Sequence, residues 1–222
     1  MSYCPIFLDL RDQAVLIVGG SDAAFERCHY LVKKGALVTV WASEVSEQFM
    51  QLKEEARDHL SILKARLTPE MAQQIFAGRN APRLLILASQ DHEYNARLEA
   101  IAEGAKIFVS NLDNPATRAQ FAAVVEREEM QIAVHAARAP QLSSAVAEDL
   151  ATKYPKLWQE AYKRYLHLAE SSQIQNLKAS DRRQELQKLA RALVTTEGQM
   201  DDALGLLAGE VEISHNRDDK EE

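Results

Sequence analysis

A run of five apolar residues that ends in two glycines constrains the fold of this chain most. Residues 14–18 form the run, Gly19 and Gly20 follow it, and a helical pattern then continues to Lys34. This order is typical of a buried parallel strand that turns into a helix over a bound dinucleotide, because glycines let the backbone approach a pyrophosphate. The usual motif is Gly-x-Gly-x-x-Gly/Ala, and Ser21 stands here at its second glycine. The sequence therefore predicts the dinucleotide-binding architecture with one altered position.

Apolar runs and helical patterns alternate through the first half of the chain. This alternation predicts a parallel, doubly wound α/β sheet over residues 1–113. The strand at 36–42 is nearly continuous in hydrophobicity, which suits burial on both faces, and Gly35 is placed to cap the helix before it. Residues 5–10 are interpreted either as an edge strand or as a lead-in to the sheet. The other predicted strands are 61–65, 84–88 and 106–109, and the predicted helices are 23–34, 46–60, one from Thr68, and 92–104.

The pattern changes after residue 113. Residues 121–125 and 130–135 are predicted to form a strand pair around a charged turn, and helical periodicity extends from Leu142 to about Ala208. The last stretch, 210–222, is mostly polar and is interpreted as a solvated acidic tail. We therefore predict a Rossmann-like parallel sheet domain (1–113), a small α+β region (114–150), a helical domain (151–209) and the tail (210–222).

Charge and composition argue against several classes of protein. The net charge of −7 at pH 7 disfavours nucleic acid or an anionic membrane as the main partner. No apolar run approaches the roughly 20 residues that span a bilayer, and the N-terminal residues show no signal-peptide pattern. Cys4 and Cys28 are too few for a disulfide framework, which fits a reducing compartment. We expect a cytoplasmic protein.

Several segments, taken in order, resemble one known family. They are residues 5–11, 15–24, 34–40, 85–91 with Asn95, and 107–113. On these segments the chain resembles the precorrin-2 dehydrogenase and sirohydrochlorin ferrochelatase family, which forms the first half of bifunctional siroheme synthase. The strand pair and the helical region follow in the family's order, so that the resemblance covers about residues 3–170. The opening at 5–10, directly before the glycine turn, is its most specific part.

The resemblance implies an enzyme of siroheme biosynthesis. Members of the family oxidise the tetrapyrrole precorrin-2 to sirohydrochlorin with NAD as cofactor, and some then insert ferrous iron. It also implies a homodimer in which the middle strands and helices exchange contacts between subunits, which makes residues 114–150 a dimerisation region. The expected partners are thus the tetrapyrrole, Fe²⁺ in some members, and a second copy of the chain.

Asp113 is the candidate catalytic residue. The resemblance implies this role, because the family keeps an aspartate at the end of the segment that matches residues 107–113. The residue also follows a predicted strand at its carboxyl end, where ligands bind in open α/β folds. A carboxylate there can accept the proton that leaves precorrin-2 while NAD takes the hydride. The alternative is that Asp113 caps the turn before Pro115.

The candidate cofactor-binding residues follow three of the predicted strands. The resemblance implies that the first helical turn lies against the pyrophosphate and ribose of NAD, although Ser21 can at the same time be a plain helix N-cap. Glu44 has about the usual 20-residue offset for a carboxylate on the ribose hydroxyls, which favours NAD over NADP, and the alternative is a solvated carboxylate at a helix start. The full set is Gly19, Gly20, Ser21, Asp22, Ala23, Ser43, Glu44 and Ser89.

The loop at 135–140 departs from the family. Where the family has Ser-Ser-Gly-Gly-Thr-Ser-Pro, this chain has His135, two alanines, Arg138, Ala139 and Pro140. Arg138 is a candidate partner for the acetate and propionate groups of the substrate, since guanidinium groups suit carboxylates. His135 is a candidate base or iron ligand, or else a structural histidine, and we expect no resident metal site. With Ser21, these changes suggest a divergent member, and the alternatives are a binding protein without turnover and a purely structural dimer.

Overall fold

The computed structural model describes residues 3–127, 129–137, 139–153 and 155–195 of the 222-residue chain. The described residues fall into two compact units, which divide between Phe121 and Ala122. No described helix combines the length and the apolar character that a membrane span requires.

The first unit is built on a five-stranded parallel sheet, which confirms the predicted α/β class. The strands are β1 (Ala14–Val18), β2 (Leu37–Trp41), β3 (Leu60–Leu63), β4 (Leu84–Leu87) and β5 (Phe108–Asn111). Their order in the sheet is β3-β2-β1-β4-β5. The chain therefore crosses from one side of β1 to the other between β3 and β4, and open sheets of this kind bind ligands at the carboxyl ends around that crossing. The helices are α1 (Asp22–Lys33), α2 (Glu47–Glu55), α3 (Pro69–Ala77) and α4 (His92–Gly104).

Alternate residues of β1 enter two different hydrophobic cores. Val15 and Ile17 pack into one with side chains from α1 and α2, and Leu16 and Val18 pack into the other with side chains from α3 and α4. A strand covered on both faces has no polar side, which explains why 14–18 is an uninterrupted apolar run. Cys28 lies fully buried in the first core, where burial raises the pKa of its thiol to about 12.

Several predicted boundaries are confirmed to the residue or nearly so. Strand β1 and helix α4 begin and end where the sequence predicts them, and α1 begins one residue earlier than predicted. Gly35 follows α1 with a φ of +80°, the left-handed conformation that the predicted helix cap requires. Thr68 caps α3, as its hydroxyl accepts a hydrogen bond from the N–H of Met71 at 3.2 Å.

Two predicted boundaries differ clearly from the structure. The helix predicted over 46–60 ends at Glu55, because the backbone at 59–60 joins the sheet, where the N–H of Val38 donates to the carbonyl of His59. The strand predicted at 106–109 begins instead at Phe108, because Lys106 has a φ of +60° that a strand does not accommodate. Of the two alternatives for residues 5–10, the structure has the irregular lead-in and not the edge strand.

The second unit contains the predicted strand pair and helices. Strands β6 (Ala123–Arg127) and β7 (Met130–Val134) pair antiparallel, and α5 (Pro140–Lys153) packs against β6. The remaining described helices are α6 (Pro155–Ala169), α7 (Ser172–Gln175) and α8 (Ala179–Thr195), and α6 and α8 share an apolar cluster centred on Leu189 and Leu193. The helical periodicity predicted beyond 195 and the tail predicted at 210–222 lie outside the described residues.

Candidate functional site

A cleft of about 330 Å³ opens at the carboxyl ends of the first four strands. Its walls come from the segments that follow β1, β2, β3 and β4, and its volume falls within the usual range for small-molecule sites. Of the eight predicted cofactor-binding residues, Asp22 and Ala23 lie exposed on the first turn of α1 and do not line the cleft. The other six line it, namely Gly19, Gly20, Ser21, Ser43, Glu44 and Ser89.

Both glycines of the turn lie directly against neighbouring backbone. Gly19 has a φ of +123°, and a Cβ on it would stand 2.4 Å from the carbonyl oxygen of Ala88. A Cβ on Gly20 would stand 2.0 Å from the carbonyl oxygen of Glu44. Any side chain at either position would therefore push apart the strand ends that form the cleft.

Ser21 is the N-cap of α1, one of the two roles that the sequence left open. Its hydroxyl accepts a hydrogen bond from the N–H of Ala24 at 3.3 Å and donates one to the carbonyl of Ala88 at 3.2 Å. The single proton of this hydroxyl is therefore committed to the protein, and the serine ties the start of α1 to the end of β4. The altered position of the motif thus has a structural function in the turn.

Arg66 is a cleft residue that the sequence analysis missed. It lies shortly after β3, its guanidinium is 4.1 Å from the ring centroid of Tyr94, and its Nη2 donates to Oδ2 of Asp91 at 2.6 Å. The N–H of Tyr94 and then the Arg66 guanidinium lower the pKa of Asp91, which is the N-cap of α4. The available signal was a basic residue directly after the predicted strand 61–65, at the same sheet edge as Glu44.

The Asp113 carboxylate is held by helix α4. Its Oδ2 accepts from Nδ2 of Asn95 at 2.8 Å and lies 3.0 Å from Nδ1 of His92. In the turn itself, Asn111 Oδ1 accepts from the N–H of Asp113, and Asn114 Oδ1 accepts from the N–H of the second residue after it. The side chain of Asp113 is 34% exposed, so that the carboxylate stays accessible from solvent.

Asn95 connects Asp113 to the cleft. The residue is fully buried, and its Nδ2 also donates to the carbonyl of Ser89, a cleft residue, at 2.8 Å. Its Oδ1 is buried without a hydrogen-bond partner among the described residues. One amide nitrogen therefore fixes the distance between the candidate base and the cleft wall.

A buried carboxylate, Glu99, supports the turn that carries Asp113. It is 8% exposed and accepts hydrogen bonds from Nδ2 of Asn111 at 2.8 Å and from Nδ2 of Asn114 at 3.2 Å. The sequence analysis did not single it out. Its signal was the four-residue spacing from Asn95, which puts both polar side chains on one face of α4.

The two predicted substrate-binding residues belong to the second unit. His135 directly follows β7 and is exposed, and Arg138 lies outside the described residues. Ser143 supplies a hydroxyl to this loop, as its Oγ accepts from the N–H of Ala136 at 2.8 Å. Within the described part of the chain, no group of three or more His, Cys, Asp or Glu side chains could hold a metal ion.

Comparison with known proteins gives one matching family and several relatives. The sequence model of a family described as "putative NAD(P)-binding" matches residues 6–123. A siroheme synthase of Tolumonas auensis is 32% identical over 158 residues, which cover 70% of this chain and 31% of that protein. Siroheme synthase 1 of Yersinia enterocolitica is 31% identical over 157 residues, with coverages of 70% and 31%. The aligned part of this chain thus spans about a third of the length of these curated relatives.

A solved structure shares the fold. The precorrin-2 dehydrogenase SirC superposes with a TM-score of 0.63 at 20% identity, over 95% of this chain and 100% of that one. At this level of identity the likeness shows the architecture, and the chemistry has to be argued from the site.

Proposed function

This chain belongs to the NAD(P)-binding family that matches residues 6–123, and we propose that it oxidises precorrin-2 to sirohydrochlorin with NAD in siroheme biosynthesis. The observation that carries the proposal is the hydrogen-bonded link from Ser89 in the cleft through Asn95 to the Asp113 carboxylate. It connects a candidate proton acceptor to the cleft that the glycine turn lines. The relatives named siroheme synthase and the structural neighbour named precorrin-2 dehydrogenase support the choice of substrate.

The cleft and the adjoining start of α1 fit NAD. The Ser21 hydroxyl accepts the hydrogen bond from the N–H of Ala24, which leaves the first-turn N–H groups of Asp22 and Ala23 without an intrahelical acceptor and suited to a pyrophosphate. Gly19 and Gly20 let the segments at Ala88 and Glu44 lie directly against the turn. Glu44, which lines the cleft after β2, would bind the ribose hydroxyls and favour NAD over NADP.

In the reaction, precorrin-2 loses a hydride and a proton, and the products are sirohydrochlorin, NADH and the proton. When bound, NAD supplies the hydride acceptor. Asp113 takes the proton on its carboxylate and then releases it to solvent, to which the side chain is partly open. Asn95 fixes the carboxylate, and Asn111 and Asn114, anchored on Glu99, fix the turn that carries it.

An anaerobic assay with purified protein, precorrin-2 and NAD tests this function. We expect NADH and the sirohydrochlorin spectrum to form together, and we expect Asp113→Asn to lose turnover while it still binds NAD. Asp58→Asn, at an exposed position in the turn before β3, is the matched control and should keep full activity. Binding of NAD and sirohydrochlorin without any turnover would instead support a binding protein of the same fold.

Iron insertion is a second proposed activity of the same site. Sirohydrochlorin must lose two pyrrole protons when Fe²⁺ enters, and Asp113 would accept them one at a time and release each to solvent. Incubation of sirohydrochlorin with Fe²⁺ in the absence of NAD measures this step separately from the oxidation. Siroheme formation that is no faster with the protein than without it would contradict the proposal.

The proposed assembly is a homodimer formed through residues 114–150. Three large apolar side chains of β6 and α5 are exposed in the single chain, namely Val124, Leu142 and Val146. Arg138 and His135, in the same region, are proposed to contact the carboxylates of the tetrapyrrole. Analytical ultracentrifugation should find twice the chain mass, and Leu142→Glu should reduce it.

Two free cysteines are consistent with the proposed cytoplasmic location.

A further inference from the structure

Nitrogen atoms of His92 and Asn95 lie close to the same oxygen of Asp113. Nδ1 of His92 is 3.0 Å from Oδ2, and Nδ2 of Asn95 is 2.8 Å from it. The two donors are three residues apart on the first turn of α4, and this spacing puts them on one face of the helix.

On this geometry we propose that His92 is a positioning residue. Its Nδ1 donates to Oδ2, which is then saturated by His92 and Asn95, and Oδ1 is left as the oxygen that receives the substrate proton. The inference deepens the proposed dehydrogenase function and rests on it. An ionised carboxylate oxygen offers about two lone-pair sites, and in this arrangement both sites of Oδ2 hold a hydrogen bond. A proton that arrived there would displace a donor, whereas a proton on Oδ1 displaces none.

The orientation of the carboxylate follows from where the donors are anchored. Asp91 caps α4 through the N–H of Tyr94 at 3.0 Å and is held by Arg66, so that the backbone just before His92 is fixed. Asn95 is fixed by its second bond, to Ser89. With Asn95 fixed and His92 on the same turn of α4, rotation about the Cβ–Cγ bond of Asp113 would move Oδ2 away from both nitrogens.

The proposed bond from Nδ1 to Oδ2 of Asp113 also fixes the tautomer of His92. Nδ1 must carry a hydrogen to donate to an ionised carboxylate, so neutral His92 has its proton on Nδ1, and Nε2 is left to solvent. The imidazolium form also donates from Nδ1, so that the bond persists whether or not the ring is charged. The side chain of His92 is 76% exposed, and such a contact contributes little to stability. Its removal should therefore change turnover much more than folding.

Two substitutions separate positioning from a merely structural role. His92→Leu removes the donor, and His92→Asn keeps one, because Nδ2 of asparagine can occupy the place of Nδ1. For His92→Leu we expect kcat to fall by about tenfold or more, since small misplacements of a catalytic group have large effects on rate. The KM values for NAD and precorrin-2 and the melting temperature should stay near wild type, and His92→Asn should recover most of kcat.

The control removes another exposed ion pair of the same helix. Arg97 and Glu93 lie 3.7 Å apart on α4, and Arg97→Gln should keep wild-type kcat. A wild-type kcat in His92→Leu, or an equal loss in His92→Asn and His92→Leu, would overturn the inference.

A measurement that needs no turnover separates failure of the proposed oxidation from failure of the role proposed for His92. The ¹⁵N shifts of the imidazole should show the Nδ1–H tautomer of His92 in the wild type, and a shift toward Nε2–H in Asp113→Ala. If the wild type does not oxidise precorrin-2, the proposed function fails, and these shifts still decide whether His92 donates to Asp113. An Nε2–H tautomer in the wild type would overturn the inference even in an active enzyme.

Discussion

The side-chain amide of Asn95 donates to Oδ2 of Asp113 at 2.8 Å, and the same nitrogen donates to the carbonyl of Ser89 at 2.8 Å. The other end of the amide, Oδ1, is buried without a partner among the described residues. A buried acceptor of this kind costs about 1–3 kcal/mol of stability. The fold therefore tolerates the unpaired Oδ1 of Asn95, and the two hydrogen bonds donated by Nδ2 offset its cost.

Asn95→Leu should separate the effect of this amide on stability from its effect on catalysis. The substitution removes both donated bonds and also removes the unpaired oxygen, so the two changes in unfolding free energy oppose each other. We expect stability in urea to change by no more than about 1–2 kcal/mol, while kcat for precorrin-2 oxidation falls by about tenfold or more. Unchanged turnover in a folded variant would mean that the anchor of Asp113 does not matter for catalysis.

Gly20→Ala should destabilise the fold because of the backbone that it meets. The new Cβ would stand 2.0 Å from the carbonyl oxygen of Glu44, so that the segment after β2 must move. We expect a loss of at least about 2 kcal/mol in unfolding free energy, within the range for overpacked sites, together with weaker NAD binding. Urea unfolding and NAD titration measure both effects.

Gly104→Ala is the matched control. Nothing lies within 4 Å of the position that its Cβ would occupy, and the residue is the last of α4. The alanine should leave stability unchanged or raise it by up to about 1 kcal/mol. Equal losses in the two variants would show that contact with Glu44 is not the reason for Gly20.

The first unit was predictable where its signals are local. An uninterrupted apolar run predicted β1, and the helical pattern between His92 and Gly104 predicted α4, because both signals depend on residues close in sequence. The end of α2 was not predictable in this way. Helical periodicity continues past Glu55, but the backbone at His59 is recruited by a strand about twenty residues earlier, through the N–H of Val38.

The candidate site likewise contains residues that local sequence signals predict and contacts that depend on distant segments. Six of the residues predicted to bind the cofactor could be placed at the cleft because they follow strand ends, and strand ends of a parallel sheet meet at one edge. Arg66 also follows a predicted strand, but its bond to Asp91, 25 positions away in sequence, could not be predicted. The same holds for Glu99, which gains a role only through Asn111 and Asn114. Such pairs become visible only when the fold brings distant segments together.

Substitutions of Ser21 should show that the altered motif position does not obstruct the cofactor. Its hydroxyl is bound to Ala24 and Ala88. Ser21→Gly restores the usual motif, and we expect its NAD affinity to stay within about threefold of wild type, with a loss of a few tenths of a kcal/mol in stability. Ser21→Ala should lose about 1 kcal/mol, because alanine cannot cap the helix. Calorimetric titration that found Ser21→Gly to bind NAD more than tenfold tighter would mean that the serine hinders the pyrophosphate.

Arg66→Leu should weaken dinucleotide binding. Arg66 lines the cleft, and stacking on Tyr94 together with the bond to Asp91 holds its guanidinium in place. Loss of one hydrogen bond to the ligand, worth about 0.7–1.4 kcal/mol, predicts a rise in the Kd for NAD of about three- to tenfold. Arg57→Leu, at an exposed position outside the cleft lining, should leave Kd unchanged. An unchanged Kd in Arg66→Leu would leave this arginine as a support for α4 alone.

The same variant should change how stability depends on pH. The pKa of Asp91 lies below its ordinary value of 3.8, first because of the N–H of Tyr94 and then because of Arg66. A carboxylate whose pKa is lower in the folded state contributes stability above its unfolded pKa, and this contribution disappears as the pH falls through the folded value. Removing Arg66 brings the pKa of Asp91 in the folded state closer to its pKa in the unfolded state. The free energy of unfolding should therefore fall less steeply below about pH 4 than in the wild type. Urea unfolding at several pH values between about 5 and 2.5 measures these slopes, and identical slopes would show that Arg66 does not act on Asp91 in solution.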